Sequence, residues 1–147
     1  MTFIIRQERQ EDDFACNKII QKAFGPGRYA KSAYRFRDGL ADIEELAYVA
    51  ENHLKQIVGT IRYWHFSQAD KILLLGPIAV ESDLRNMGLG ENLMFVSLEK
   101  AKNLGYTQVI LIGHPAYYQR FGFSYAGREN IQFPYPIDNN RFLGLFL

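Results

Sequence analysis

The hydrophobic positions of this chain change period along its length, from about 2 residues to about 3.6 and back, which marks strands and helices in turn. Thr2 to Arg6 reads as a short strand. Asp12 then stands as an N-cap ahead of Cys16, Ile19, Ile20, Ala23 and Phe24, whose spacing makes one apolar helical stripe that Gly25-Pro26-Gly27 ends. A second helical stretch carries Tyr29, Ala30, Ala33 and Tyr34 on one side and Lys31, Arg35 and Arg37 elsewhere, with Gly39 as its C-terminal cap. Leu46 to Glu51 and Gln56 to Phe66 read as a hairpin around Asn52-His53-Leu54-Lys55, the second arm being rich in Val, Ile, Thr, Tyr and Trp.

Ile72 to Val80 is continuously apolar, which predicts a central strand buried on both faces. Leu89 to Leu104 is the strongest helix, with Leu89, Leu93, Val96, Ala101 and Leu104 inward, Glu91 near its positive end, Lys100 and Lys102 near its negative end, and Gly105 as the stop. Gln108 to Gly113 follows as a buried strand. Strand, long helix and strand make a right-handed crossover between parallel neighbours. Pro115 to Phe121 has room for a short helix, and strands from Gly122 and Arg141 onward close the sheet. The expected fold class is α/β (α+β), a mixed sheet with helices on both faces, in a single domain over residues 1–147.

Composition narrows what such a fold does. With 48% hydrophobic residues in 147, the chain has material for a core of its own and needs no disulfide or metal staple. A formal charge of +1, from 17 Lys+Arg against 16 Asp+Glu, argues against a surface that neutralises many phosphates, so no nucleic-acid partner is expected. Cys16 is the sole cysteine, which excludes an internal disulfide and suits a reducing cytoplasm. The apolar start stops at Arg6, short of a signal-peptide core, and the longest apolar run falls well below the ~18 residues of a membrane span. The expectation is a soluble cytoplasmic protein without a membrane partner. Three histidines and one cysteine show no ligand spacing, so no metal site is expected.

Two features carry chemistry. Gly76-Pro77 interrupts the most buried strand, where proline removes a ladder donor. Either this is an edge proline, or a bulge or splay turns the backbone of Ile78, Ala79 and Val80 toward a ligand. Between that strand and the strongest helix stands Arg85-Asn86-Met87-Gly88-Leu89-Gly90. Glycines beside a helix N-terminus let free amides and the positive dipole meet a pyrophosphate, although a plain strand-to-helix turn has the same composition. A dinucleotide GxGxxG fingerprint is excluded, since position 93 is Leu93, and no GxxxxGK[ST] run exists.

Read as RxxGxG, the loop fits the [QR]xxGx[GA] signature of the GNAT superfamily of acyl-CoA-dependent N-acyltransferases. Ala116-Tyr117-Tyr118-Gln119-Arg120-Phe121-Gly122-Phe123 resembles that family's AxxFYxxxGF-like segment, and LGPIAV followed by PAYYxRFGF is similar to small bacterial predicted acetyltransferases. The resemblance implies a GNAT fold with a mixed six- or seven-stranded sheet, splayed centrally at the coenzyme site, and acetyl-CoA as cosubstrate. It implies that Arg85, Asn86, Met87, Gly88, Leu89 and Gly90 hold the coenzyme pyrophosphate and that Ile78, Ala79 and Val80 pair with the pantetheine arm. Ile78 is then the amide that polarises the thioester carbonyl, and Tyr118 the hydroxyl that protonates the departing thiolate. Tyr117 either joins the coenzyme site or packs as an aromatic. Asn86 and Met87 depart from the small or basic residues common in the loop, and Gly113-His114-Pro115 stands where many members place an asparagine.

No general base carries over from the family; Glu51, His65, Glu81 and His114 are the candidates. Acceptor recognition falls to residues 24–39 and 128–141, where Pro134 and Pro136 mark loop. Arg28, Lys31, Arg35 and Arg37 there either favour an acidic or phosphorylated acceptor or form a solvated face. Cys16 lies on a core stripe and reads as a small hydrophobe, which leaves direct transfer of the acetyl group to an amine of a small molecule or protein. A CoA-binding sensor domain and a longer-acyl transferase are the alternatives, and a homodimer is compatible with each.

Overall fold

In the computed structural model, which describes residues 2–25, 42–126 and 138–147, the described residues place seven strands in one sheet. They are β1 (Ile4–Gln7), β2 (Tyr48–Glu51), β3 (Ile57–Ser67), β4 (Ile72–Val80), β5 (Gln108–Ile112), β6 (Ser124–Tyr125) and β7 (Phe142–Phe146), ordered β1-β2-β3-β4-β5-β7-β6. Among the described residues every pairing is antiparallel except that of β4 with β5. The helices are α1 (Asp13–Phe24), α2 (Leu89–Asn103) and α3 (Pro115–Tyr118), and α2 makes the crossover from β4 to β5. The mixed sheet expected from the hydrophobic pattern is therefore present. The second helical stretch expected around residues 29–39 lies outside the described residues, as do residues 26–39 and 128–137 of the expected acceptor segments 24–39 and 128–141.

Alternation along β4 divides the core between two faces. Leu73 and Leu75 pack with Leu89, Leu93 and Met94 of α2, while Leu74 packs oppositely with Ile110 and Phe142. Between Ile61 and Tyr63 the β3–β4 register slips, so that Arg62 faces both Gly76 and Pro77. The interruption is thus a bulge in a central strand and not an edge proline. One extra residue reverses the parity of everything after it. Ile78 and Val80 now join the α2 face, and Ala79 turns to Ile19 and Ile20 of α1.

Two helix details differ from the reading of the sequence. On α2 the buried stripe is Leu89, Leu93, Met94, Ser97 and Ala101, whereas Val96 and Leu104 are exposed at 39% and 38%. Ser97 fits the apolar stripe because its hydroxyl donates to the Leu93 carbonyl at 2.7 Å, and Leu104 stands past the last helical turn. Asp12 is no side-chain cap for α1; its carboxylate accepts from Arg6 at 2.7 and 3.1 Å and from the Arg9 amide at 2.7 Å. Gly25, with φ 67°, closes α1 by donating to the Gln21 carbonyl. No helix among the described residues is long and apolar enough to cross a membrane.

Candidate functional site

The parallel β4–β5 ladder is short. It pairs Ile72 with Gln108, Leu73 with Val109 and Leu74 with Ile110, after which β4 runs on to Val80 and β5 to Ile112 unpaired with each other. This is the central splay expected from the bulge. In an antiparallel ladder, successive residues direct their backbone groups alternately toward and away from the partner strand. The Glu81 amide donates to the Val58 carbonyl at 2.9 Å, so Glu81 and, two residues back, Ala79 face β3. Ile78 and Val80 consequently present N–H and C=O to the opening between β4 and β5.

One end of that opening is the amino end of α2. The segment Ser82–Met87 forms a 3-10 turn, and Gly88 adopts φ 76° and ψ 11°, a left-handed conformation in which glycine avoids the Cβ clash. No side chain caps the helix. Its first amides and dipole are therefore left for an anion. Arg85, Asn86 and Met87 are exposed on the turn, Leu89 is buried as an anchor, and Gly90 is half-buried. Glu91 lies in the same first turn, 3.0 Å from Arg120.

The opposite wall carries the tyrosine pair. His114 precedes α3 in an extended conformation, and the Tyr117 and Tyr118 amides both donate to its carbonyl. The two rings then stand edge to face with centroids 4.9 Å apart. Tyr117 reaches α2, where its hydroxyl lies 2.8 Å from the point a Cβ on Gly90 would occupy. Tyr118 leans the other way, its ring filling the space beside Gly113 at the end of β5. Burial raises the Tyr117 phenol above its ordinary pKa, the Glu91 carboxylate adds to this, and Arg120, 4.7 Å over the ring, opposes it. Tyr117 thus meets Gly90 at the amino end of α2, Tyr118 stands at the end of β5, and the outward backbone of Ile78 and Val80 lies on the β4 side of the splay.

This part of the chain also matches a known family. A model of the acetyltransferase (GNAT) domain matches residues 44–125, more than half of the chain and all of the elements just described from β2 to α3. The chain belongs to the GNAT acetyltransferase family. It is 28% identical over 137 residues to the uncharacterized N-acetyltransferase YhbS of Escherichia coli K12, covering 90% of this chain and 80% of the relative. The crystal structure of E. coli YhbS in complex with CoA has the same fold, at a TM-score of 0.82 and 24% identity, over 98% of this chain and 81% of that one. A GNAT acetyltransferase from Brucella melitensis, crystallised with acetyl-CoA, is similar at a TM-score of 0.71 and 25% identity, over 99% of this chain and 88% of that one.

The candidate bases of this GNAT domain do not all reach the opening. Glu51 is held by Arg6 at 2.9 and 3.1 Å. His65 pairs with Leu73 at the closed end, where β4 and β5 are still bonded, and its ring lies 6.0 Å from that of Tyr106. Glu81, directly after β4, is 3.8 Å from Lys22, and His114 is exposed beside Gly113. Cys16 is fully buried, and burial first, then a bond to Glu8, push its thiol up to about 12. Among the described residues no three His, Cys, Asp or Glu side chains are grouped to hold a metal.

Tyr63 and Ser97 are missing from the sequence reading. Tyr63 is fully buried, its hydroxyl 2.7 Å from that of Ser97. Ser97 commits its proton to the helix backbone, so Tyr63 donates. Burial raises the Tyr63 phenol, the Ser97 bond opposes this, and the nearby Tyr118 adds to it. A signal existed in the polar residue on an apolar stripe, but its partner lies 34 residues away.

Proposed function

We propose that this GNAT domain transfers the acetyl group of acetyl-CoA directly to an amine. The observation that carries the reading is the outward alternation of Ile78 and Val80 in a splay that ends at an uncapped helix, with Tyr118 beside the end of β5. The unpaired backbone of Ile78 and Val80 suits the amide-bearing pantetheine arm, and the free amides after Gly88 suit a pyrophosphate, with Arg85 beside them. No metal enters this reading. The domain spans residues 1–147, and the sole, buried cysteine fits a cytoplasmic setting.

The Ile78 amide is assigned to the thioester oxygen, where charge builds as the amine attacks. The C–N bond forms, the C–S bond breaks, and the sulfur leaves with the electron pair. Tyr118 gives the leaving thiolate its phenolic proton, and the nitrogen, cationic after the attack, releases its second proton to solvent, from which Tyr118 is reprotonated. Glu81, directly after β4, and His114, after β5, are the candidates assigned to take the acceptor's proton beforehand.

The test combines thermal shift with thiol release. Acetyl-CoA at about 100 times its dissociation constant is expected to add about 2.7 kcal/mol of stability. Tyr118→Phe is expected to lower turnover about 10²-fold or more at unchanged coenzyme affinity. Stabilisation by CoA without thiol release across an amine panel would identify a binding domain instead, and a preference for longer acyl-CoAs would correct the donor.

A further inference from the structure

We infer that Gly113 is a positioning residue for Tyr118, the one place on β5's exit where the absence of a side chain sets the reaction geometry. This rests on the assignment of Tyr118 as the acid. Gly88, Gly105 and Gly122 have positive φ angles of 76°, 91° and 94°, so their backbone conformation itself favours glycine. Gly113 has no such angle; its backbone would accept alanine, and its amide keeps the strand's direction by donating to Arg141 at 2.9 Å. What excludes alanine is space. A Cβ at this position would overlap the Tyr118 ring at Cε2, lie 3.1 Å from its Cδ2 and lie 3.1 Å from Leu111 Cδ1.

The ring is flanked by two others. Tyr117 stands edge-on to it at 4.9 Å and Phe123, itself buried, at 5.9 Å, while Tyr117 is in turn backed by Phe121 at 5.6 Å. Rigid aromatic walls convert a small push at Gly113 into rotation or translation of the whole phenol, which moves the hydroxyl at its far end most. Aliphatic neighbours would absorb the push by changing rotamer; close-packed rings do not. Gly113 therefore acts on the chemistry through Tyr118 and without touching the substrate.

The experiment is a double-mutant cycle of Gly113→Ala and Tyr118→Phe, read by kcat, by the KM for acetyl-CoA and by thermal shift with CoA. Gly113→Ala is expected to lower kcat about 10-fold to 10²-fold with KM little changed, and to cost less than about 3-fold when Tyr118→Phe has already removed the acid. Losses that multiply, or an unchanged kcat in Gly113→Ala, would overturn the inference. An inactive-acid result, in which Tyr118→Phe alone leaves kcat intact, would instead overturn the assignment beneath it. Should Gly113→Ala unfold the chain, the double variant carrying Tyr118→Ala must restore folding by removing the ring; failure to do so would equally refute the contact as the cause.

Discussion

The indole N–H of Trp64 donates to the carbonyl of Gly76 at 2.5 Å, tying β3 to the bulge that turns Ile78 toward the opening. Trp64→Phe keeps an aromatic ring and removes the donor. Leaving the buried Gly76 carbonyl without it is expected to cost about 1–3 kcal/mol in urea unfolding. Turnover should fall as the bulge loosens. Trp64 is the chain's only tryptophan, so its fluorescence is expected to change when acetyl-CoA binds, and a silent signal would separate the bulge from the ligand.

Gly90 faces Tyr117 as Gly113 faces Tyr118, with the Tyr117 hydroxyl 2.8 Å from the site of a Cβ. Gly90→Ala is expected to push this tyrosine off the helix end and raise the KM for acetyl-CoA about 3-fold to 10-fold, or about 0.7–1.4 kcal/mol. Adding Tyr117→Phe, which removes the crowding oxygen, should recover part of that loss. Initial-rate kinetics at a fixed acceptor concentration decide it.

Acid should loosen the N-terminal strand and helix. Arg6 donates to Asp12 and holds its carboxyl below the usual range, burial opposes this, and the Arg9 amide assists. A folded pKa below the unfolded value means that the stabilisation is complete above about pH 4 and is lost as pH falls through the folded value. Urea midpoints of the parent should therefore drop on acidification below about pH 4 more steeply than those of Asp12→Asn. The variant itself is expected to be about 1.5–3 kcal/mol less stable at pH 7, having given up charge-assisted bonds.

Cys16 is fully buried with its thiol pushed up to about 12, so at neutral pH it is protonated and shielded. A chromogenic thiol reagent is expected to leave the native chain untouched and to label it once per chain in denaturant, there being one cysteine. Rapid labelling of the native state would contradict this packing. The same property means that thiol released from acetyl-CoA is read without background from the protein.

What was legible in the sequence is what short stretches decide for themselves. The bounds of β4, Ile72–Val80, and the start of α2 at Leu89 follow from a continuous apolar run and from glycines ahead of an amphipathic segment. The RxxGxG loop and the tyrosine pair could be recognised for the same reason. The sequence also assigned inward positions to Val96 and Leu104, because periodicity names a stripe without knowing its partner.

The site was decided elsewhere. Which amides of β4 face the opening depends on a bulge opposite Arg62 and on where the β5 ladder stops, both properties of pairing between distant segments. Arg6, 45 residues away, engages Glu51, and His65 lies at the paired end of the sheet, placements that the sequence does not show. Gly113 stands in the sequence only as a departure from the asparagine of the resemblance, whereas in the fold the Tyr118 ring fills the space that a side chain there would take. Local hydrogen bonding and hydrophobic period set the elements of this chain. Long-range packing, in which volume is excluded and backbone donors are shared between strands far apart in sequence, set which atoms of those elements are left to react.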